Sequence, residues 1–266
     1  MIYNDKDYKS LTIHVNEGVG LITLNRPTNE NRVTFSMANE IRTICEEFNF
    51  SSQINVVVIT GAGGFFCGGD EENNIMPDPT NQLKNEIYKM QNLRLAKSLL
   101  NIEKPVICAI NGDAIGHGLE IAMCSDIRLA APNAKFSMPQ ITHGSMPWDG
   151  GTQLLPRLIG RSNASELLMT GKTINSKKAL SIGLIEHVIS KSKLLPETER
   201  LALSISKLGP IATRYAKEAV LKGIDMTIEQ GMRLEMDLNL LLQTTDDRAE
   251  GLSAFKEKRT PKFTGE

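Results

Sequence analysis

Glu120 stands inside an apolar run, IGHGLEIAMCSDI from Ile115 to Ile127, directly after Gly116, His117 and Gly118. A carboxylate among Leu119, Ile121, Ala122 and Met123 loses hydration at a cost of several kcal/mol, or has its pKa raised. A raised pKa brings a carboxyl group toward the operating pH, as a general acid or base requires. Two further glycine loops carry acidic residues. GAGGFFCGGDEENN, Gly61 to Asn74, holds Asp70, and PQITHGSMPWDGGTQ, Pro139 to Gln153, holds Asp149 and His143. Glycine admits positive φ and lets a ligand approach backbone N–H groups, which suits an anion or oxyanion site. None of these loops matches a Walker loop or a clean GxGxxG fingerprint after the first strand, so nucleotide binding in those modes is not expected.

Each glycine loop follows an apolar or β-branched run, the place where open α/β sheets put their ligand crevices. LTIHV and GVGLITL read as a hairpin, Met37 to Phe48 has helical spacing, and INVVVIT from Ile54 suits a strand buried on both faces. PVICAIN from Pro105 and DIRLAA from Asp126 read as two more strands. Gln82 to Leu100 reads as one long amphipathic helix entered through Pro77 and Pro79. Strands alternating with helices predict parallel pairing and right-handed crossovers. From about Pro156 onward no strong strand run remains. Ala164 to Met169, Lys177 to Ser181, Glu197 to Lys207, Ile211 to Gly223 and Thr227 to Leu242 are helical in pattern. This places an α/β core at residues 1–195 and a helical C-terminal region at 196–266.

The 266 residues carry a formal net charge of −1, so no global field invites nucleic acid or an anionic membrane, and any anionic ligand must be met locally. Aromatics make up 5% of the chain, without the basic, aromatic-interleaved face of an RNA binder. Cys45, Cys67, Cys108 and Cys124 form no CxxC pair and suit reduced thiols; no metal site is expected. The N-terminus lacks an apolar h-region, and no apolar run approaches the roughly 20 residues of a membrane span. The expectation is a cytoplasmic protein.

FCGGD (Phe66 to Asp70), INGDAIGHGLEIAMCSDIRLAAPNAKFSMPQ (Ile110 to Gln140), DGGTQLLPRLIG (Asp149 to Gly160), GLIEHVI (Gly183 to Ile189) and EGLSAFKEKRTPKF (Glu250 to Phe263) resemble the crotonase, or enoyl-CoA hydratase/isomerase, superfamily. The resemblance runs in order along essentially the whole chain. It implies a crotonase-like (ClpP/crotonase) α/β fold, a repeated ββα core with a helical C-terminal trimerisation part, and trimers that often pair into hexamers. It implies an acyl-CoA substrate, with coenzyme A as part of the substrate and no separate cofactor. One scaffold in this superfamily hosts several reactions, so the resemblance is more specific for fold than for chemistry.

By position, the resemblance makes the N–H groups of Gly69 and His117 the two donors that stabilise a thioester enolate, with a helix starting near Gly118 adding positive potential. His117 stands in the family's usual GGG run, where only its backbone N–H is required; its imidazole is expected to line the pocket, stack on a ligand or point into the subunit. Glu120 matches the first catalytic glutamate of the hydratases. The second falls at Gln140, whose amide can hold a water or a substrate oxygen but cannot take a proton. Asp149 occupies a position where several family branches place a working aspartate, or it caps a helix. His143 either activates a water with Asp149 or flanks the acyl site. Arg26, Cys67, Gly68, Asp70 and Gly116 match the substrate and CoA path. Phe255, Lys256 and Lys258 match a terminal helix that in relatives often reaches a neighbouring subunit's CoA. Late apolar residues such as Met232, Leu234, Met236 and Leu238 exceed what a small cap would bury. The segment Glu71 to Gln82 is expected to close over the acyl chain.

These residues predict enolate chemistry on an acyl-CoA, with Glu120 and Asp149 as acid and base for water addition or double-bond migration. One alternative is carbon–carbon bond hydrolysis of a cyclic β-diketone, as in 6-oxocamphor hydrolase, suggested by PWDGG, YKSLTI and SLLNIEKPVI; the catalytic histidine of those enzymes would fall at Gln140. The other is a catalytically silent acyl-CoA binder.

Overall fold

The computed structural model describes residues 8–71 and 80–266. Pro77, Pro79 and most of the segment expected to close over an acyl chain lie outside the described residues.

The chain begins with the expected hairpin, β1 (Leu11–Asn16) and β2 (Val19–Leu24), followed by α1 (Phe35–Phe50). Three successive strand pairs then lead into helices. They are β3 (Val56–Gly61) and β4 (Phe65–Cys67) before α2 (Gln82–Leu93) and α3 (Ala96–Leu100), then β5 (Val106–Ile110) and β6 (Asp113–Ile115) before α4 (His117–Met123), then β7 (Ile127–Ala130) and β8 (Lys135–Ser137) before α5 (Gly151–Thr170). The remainder is β9 (Ile174–Asn175), α6 (Ser176–Ser181), β10 (His187–Val188), α7 (Lys191–Ser206), α8 (Pro210–Gly223), α9 (Ile228–Leu242) and α10 (Asp246–Glu257).

The first strand of each pair enters a six-stranded sheet of order β1-β2-β3-β5-β7-β10, parallel except for the hairpin. The second enters a four-stranded sheet of order β4-β6-β8-β9, antiparallel only between β8 and β9. This is the repeated ββα core. Every residue of β3 and β5 is buried, as the uninterrupted β-branched runs predict for strands covered on both faces. On one face Ile22, Val57, Ile59, Cys108 and Ile110 pack with α1 and the second sheet around Phe48, Phe66 and Phe136. On the other, Val56, Val58, Ile107, Ala109 and Leu129 meet Leu194 and Ala202 of α7. The second sheet brings the ends of β4, β6 and β8 together, and with them the three glycine loops.

One expectation fails. The helix expected over Gln82 to Leu100 breaks at Arg94 and Leu95, because the first N–H groups of α3 are claimed by a carboxylate 54 residues away, that of Asp149. Two short strands, β9 and β10, lie past Pro156, where the sequence shows no strong strand run; at two residues each they are too short to leave a periodic signal. Among the described residues no helix is long and apolar enough to cross a membrane.

Candidate active site

Residues 65–70 form β4 and its following loop, held against the segment after β2 by Val33, whose N–H donates to the Gly69 carbonyl at 2.8 Å. The Asp70 side chain leaves this loop toward α4. Gly116 caps α4 with φ +53°, a backbone that disfavours any other residue, and its N–H donates to Ser137 at the end of β8. Gly118 allows the close approach of the β4 loop: a Cβ there would lie 2.1 Å from the Cys67 carbonyl oxygen. His117 and Gly69 are thereby neighbours across two strand ends. Each presents a backbone N–H with no acceptor among the described residues. For His117 this follows from its place at the first helical position.

Glu120 is 1% exposed. Its Oε1 accepts from the N–H groups of Asp149 at 3.0 Å and Gly151 at 2.8 Å, while Oε2 has no hydrogen-bond partner among the described residues. Burial raises its pKa. The charge of His117 and the two backbone donors oppose the rise, and the Asp149 charge adds to it.

Asp149 is also 1% exposed. Its Oδ2 accepts from the N–H of Leu95 at 2.6 Å and of Ala96 at 2.9 Å, and lies 3.1 Å from His117 Nε2. Oδ1 is buried with no hydrogen bond, the Arg94 Nε lying 3.4 Å away. Asp149 therefore does cap a helix, but not the one that follows it. Helix α5 starts after Gly150 without a side-chain cap, and the carboxylate serves α3 instead.

The His117 imidazole points into the subunit rather than lining an open pocket. It lies between Asp70 Oδ1, 2.6 Å from Nδ1, and Asp149 Oδ2, with the Trp148 ring 5.1 Å away centroid to centroid. Burial alone would lower its pKa; the hydrogen bonds to Asp149 and Asp70, with the charges of Asp70 and Glu120, push it up to about 10. Burial acts on Asp70 in the raising direction, but the hydrogen bond and charge of His117 and the charge of Lys89, 3.7 Å away, hold its carboxyl below the usual range.

The structure thus brings Gly69, Asp70, Gly116, His117, Glu120 and Asp149 together. Gln140 joins them from a 3-10 turn over Pro139–His143: its Nε2 would lie 3.4 Å from a Cβ on Gly116, and its buried Oε1 has no hydrogen-bond partner among the described residues. His143 is not joined to Asp149. It is exposed, its Nδ1 lies 3.1 Å from the Thr142 hydroxyl, and the aspartate is engaged by His117. The Cys67 thiol is wholly buried in the core, pushed up to about 12 by burial, so only its backbone borders the site. Gly68 packs against Glu30, and Arg26 donates to the Arg32 carbonyl and pairs with Glu71 at 2.6 Å. Phe255, Lys256 and Lys258 sit exposed at the end of α10. Lys89, Arg94, Trp148 and the N–H groups of Leu95 and Ala96 had no motif to announce them; the one available signal was an aspartate attached to a Gly-Gly pair in each of two loops.

The paired sheets and the three converging glycine loops define a crotonase fold. The crystal structure of an enoyl-CoA hydratase from Bacillus anthracis superposes with a TM-score of 0.91 at 35% identity, over 97% of this chain and 100% of that one. The family profile described as enoyl-CoA hydratase/isomerase matches residues 14–266. YngF of Bacillus subtilis is 40% identical over 94% of this chain and 96% of its own, and the crotonyl-CoA hydratase of Syntrophomonas wolfei is 34% identical over 96% and 98%. The chain belongs to the enoyl-CoA hydratase/isomerase family, a family of enzymes.

Proposed function

We propose that the protein acts on an enoyl-CoA thioester, holding the thioester oxygen between the N–H groups of Gly69 and His117 while Glu120 and Asp149 move protons at the enolate. The observation that carries this reading is the pair of buried carboxylate oxygens that accept no hydrogen bond among the described residues, Glu120 Oε2 and Asp149 Oδ1, the latter 3.4 Å from Arg94 Nε, on residues coupled through the Asp149 N–H. Buried acceptors without hydrogen bonds are expensive, and a substrate proton or water that completes them is the physical reason to keep them.

Water addition and double-bond migration share this enolate step. Addition needs an activated water, which Gln140 Oε1 and Glu120 Oε2 would hold, with Glu120 or Asp149 taking its proton. Migration needs a proton removed at one carbon and returned at another, which one carboxyl group can do alone or two can divide between them. Neither route requires a cofactor beyond the coenzyme A of the substrate. A β-diketone hydrolase reading loses support, since Gln140 stands where its catalytic histidine would fall and His143 is exposed beside the Thr142 hydroxyl.

A homo-oligomer, trimer or hexamer, accords with the C-terminal helices. Val220, Leu221 and Ile224 in and after α8, and Ile228, Met232, Met236 and Leu240 of α9, are each more than 40% exposed, a surface suited to a second copy of the chain. In such an assembly Lys256 would meet a neighbouring subunit's CoA.

The test is incubation with 2-enoyl- and 3-enoyl-CoA thioesters in deuterated water, following product mass. Gain of one water identifies addition. Deuterium uptake or double-bond movement without added water identifies migration. No change with any thioester, by wild type and Glu120→Gln alike, refutes the proposal.

A further inference from the structure

The proposed chemistry asks His117 only for its backbone N–H, which glycine would supply equally well. The imidazole is nevertheless 2% exposed, and both ring nitrogens face carboxylates. A neutral imidazole has one N–H. It would donate to one aspartate and turn a lone pair on the other, so only the imidazolium donates to both.

The two aspartates belong to different halves of the site. Asp70 directly follows Gly69, while Asp149 carries the N–H that holds Glu120 and an oxygen, Oδ1, that accepts no hydrogen bond. The line of alternating charge ends on α2 and its C-terminal cap, where Lys89 lies 3.7 Å from Asp70 and Arg94 3.4 Å from Asp149. The groups facing the imidazole are therefore Asp70 from the β4 loop, Asp149 and Trp148 from the loop before α5, and Glu120 from its own helix.

We infer that the His117 side chain is a positioning residue: as an imidazolium shared by Asp70 and Asp149, it holds Asp149 Oδ2 and so leaves Oδ1 as the carboxylate oxygen that accepts no hydrogen bond. It also ties the loop bearing the Gly69 N–H to the loop bearing the acid–base pair. Oδ2 is saturated by His117 and by the Leu95 and Ala96 N–H groups, so rotation that exchanges the two oxygens would break three hydrogen bonds. The inference rests on Glu120 and Asp149 being the proton-moving pair.

Two measurements on the full chain test it. In protein labelled with 15N-histidine, the ring signal lost in His117→Gly should be that of a doubly protonated imidazolium from pH 6 to pH 9, with Asp149→Asn lowering its midpoint. The other three histidines, His14, His143 and His187, are exposed, so slow exchange of the ring N–H groups also picks out His117, and a singly protonated buried ring at pH 7 overturns the inference whether or not any variant folds. In turnover, His117→Gly keeps the backbone N–H. It should lower kcat about 10- to 100-fold with KM within about threefold, and should give a pH profile with a new limb between pH 6 and 9. His117→Asn, able to donate to one aspartate, should fall between. A glycine variant with wild-type kcat and pH profile, or one altered in KM alone, refutes positioning. A wild type that processes no thioester removes the parent reading and this inference with it, and is told apart by the unsubstituted enzyme.

Discussion

Arg128 and His117 are both buried cations held by carboxylates, and their surroundings end differently. Arg128, 3% exposed on β7, donates from Nε to Leu184, from one terminal nitrogen to Ser125 and from the other to Glu186, whose second oxygen accepts the Arg128 N–H. That network is closed, and it fastens the connection before β10 to the large sheet. The network around His117 is open, because Glu120 Oε2, Asp149 Oδ1 and the nearby Gln140 Oε1 remain without hydrogen bonds among the described residues. A closed buried network rigidifies a fold, whereas an open one costs stability and has to be explained by what it does.

Breaking the closed network should give the largest effect. Arg128→Ala leaves Glu186 Oε1 and two carbonyls without their donor, while the backbone N–H at 128 still holds Glu186 Oε2, and it should lower unfolding free energy by about 2–4 kcal/mol. It should leave kcat per folded molecule unchanged; denaturant titration beside active-site titration checks both. Glu120→Gln does the reverse. Its amide oxygen can still accept from Asp149 and Gly151, but the proton-moving oxygen is gone, so kcat should fall about 10²- to 10⁴-fold. Calorimetry should find no loss of Tm, since a desolvated carboxyl group has been replaced by a neutral one. A Glu120→Gln enzyme with wild-type turnover would dissolve the contrast between the two networks.

The closed and open networks were unequally legible in the sequence. Strands β1, β2, β3, β5 and β7 declare themselves because burial on one or both faces writes a continuous or alternating apolar pattern into a few adjacent residues. Glu120 is legible for the same local reason: a carboxylate breaks an apolar run. The break between α2 and α3 is invisible, because the group that ends one helix and starts the next is Asp149, 53 residues beyond Ala96. His117 lies 47 residues from Asp70 and 32 from Asp149, so nothing in GHGLE says that its ring joins them or that His143 is excluded. Composition shows which groups are costly to bury; topology decides which meet.

The glycine that lets the two loops meet supplies a smaller test. In Gly118→Ala the new Cβ would collide with the Cys67 carbonyl, a backbone atom that cannot swing aside, so α4 must move away from the β4 loop. Destabilisation of about 1–3 kcal/mol is expected. Activity should fall further than stability suggests, because the shift separates His117 from Asp70 and the two N–H donors from each other. Equal losses in Arg128→Ala and Gly118→Ala activity per folded molecule would contradict that geometry.

The gentlest discriminator is pH. His117 in the folded protein is pushed up to about 10, above the ordinary histidine value near 6.5. Its contribution to stability is therefore complete below about pH 6.5 and is lost as pH rises toward 10, at a limiting slope of about 1.4 kcal/mol per pH unit. Lys104 works in the opposite direction, since burial lowers it to about 8 and stability tied to it grows above that pH. The informative window is thus pH 6.5 to 8. Urea midpoints of wild type and His117→Gln across this window should converge as pH rises, because the wild type alone loses stability through this site. Parallel curves would mean that the buried ring is already neutral at pH 6.5, and that the open network is held by one aspartate rather than two.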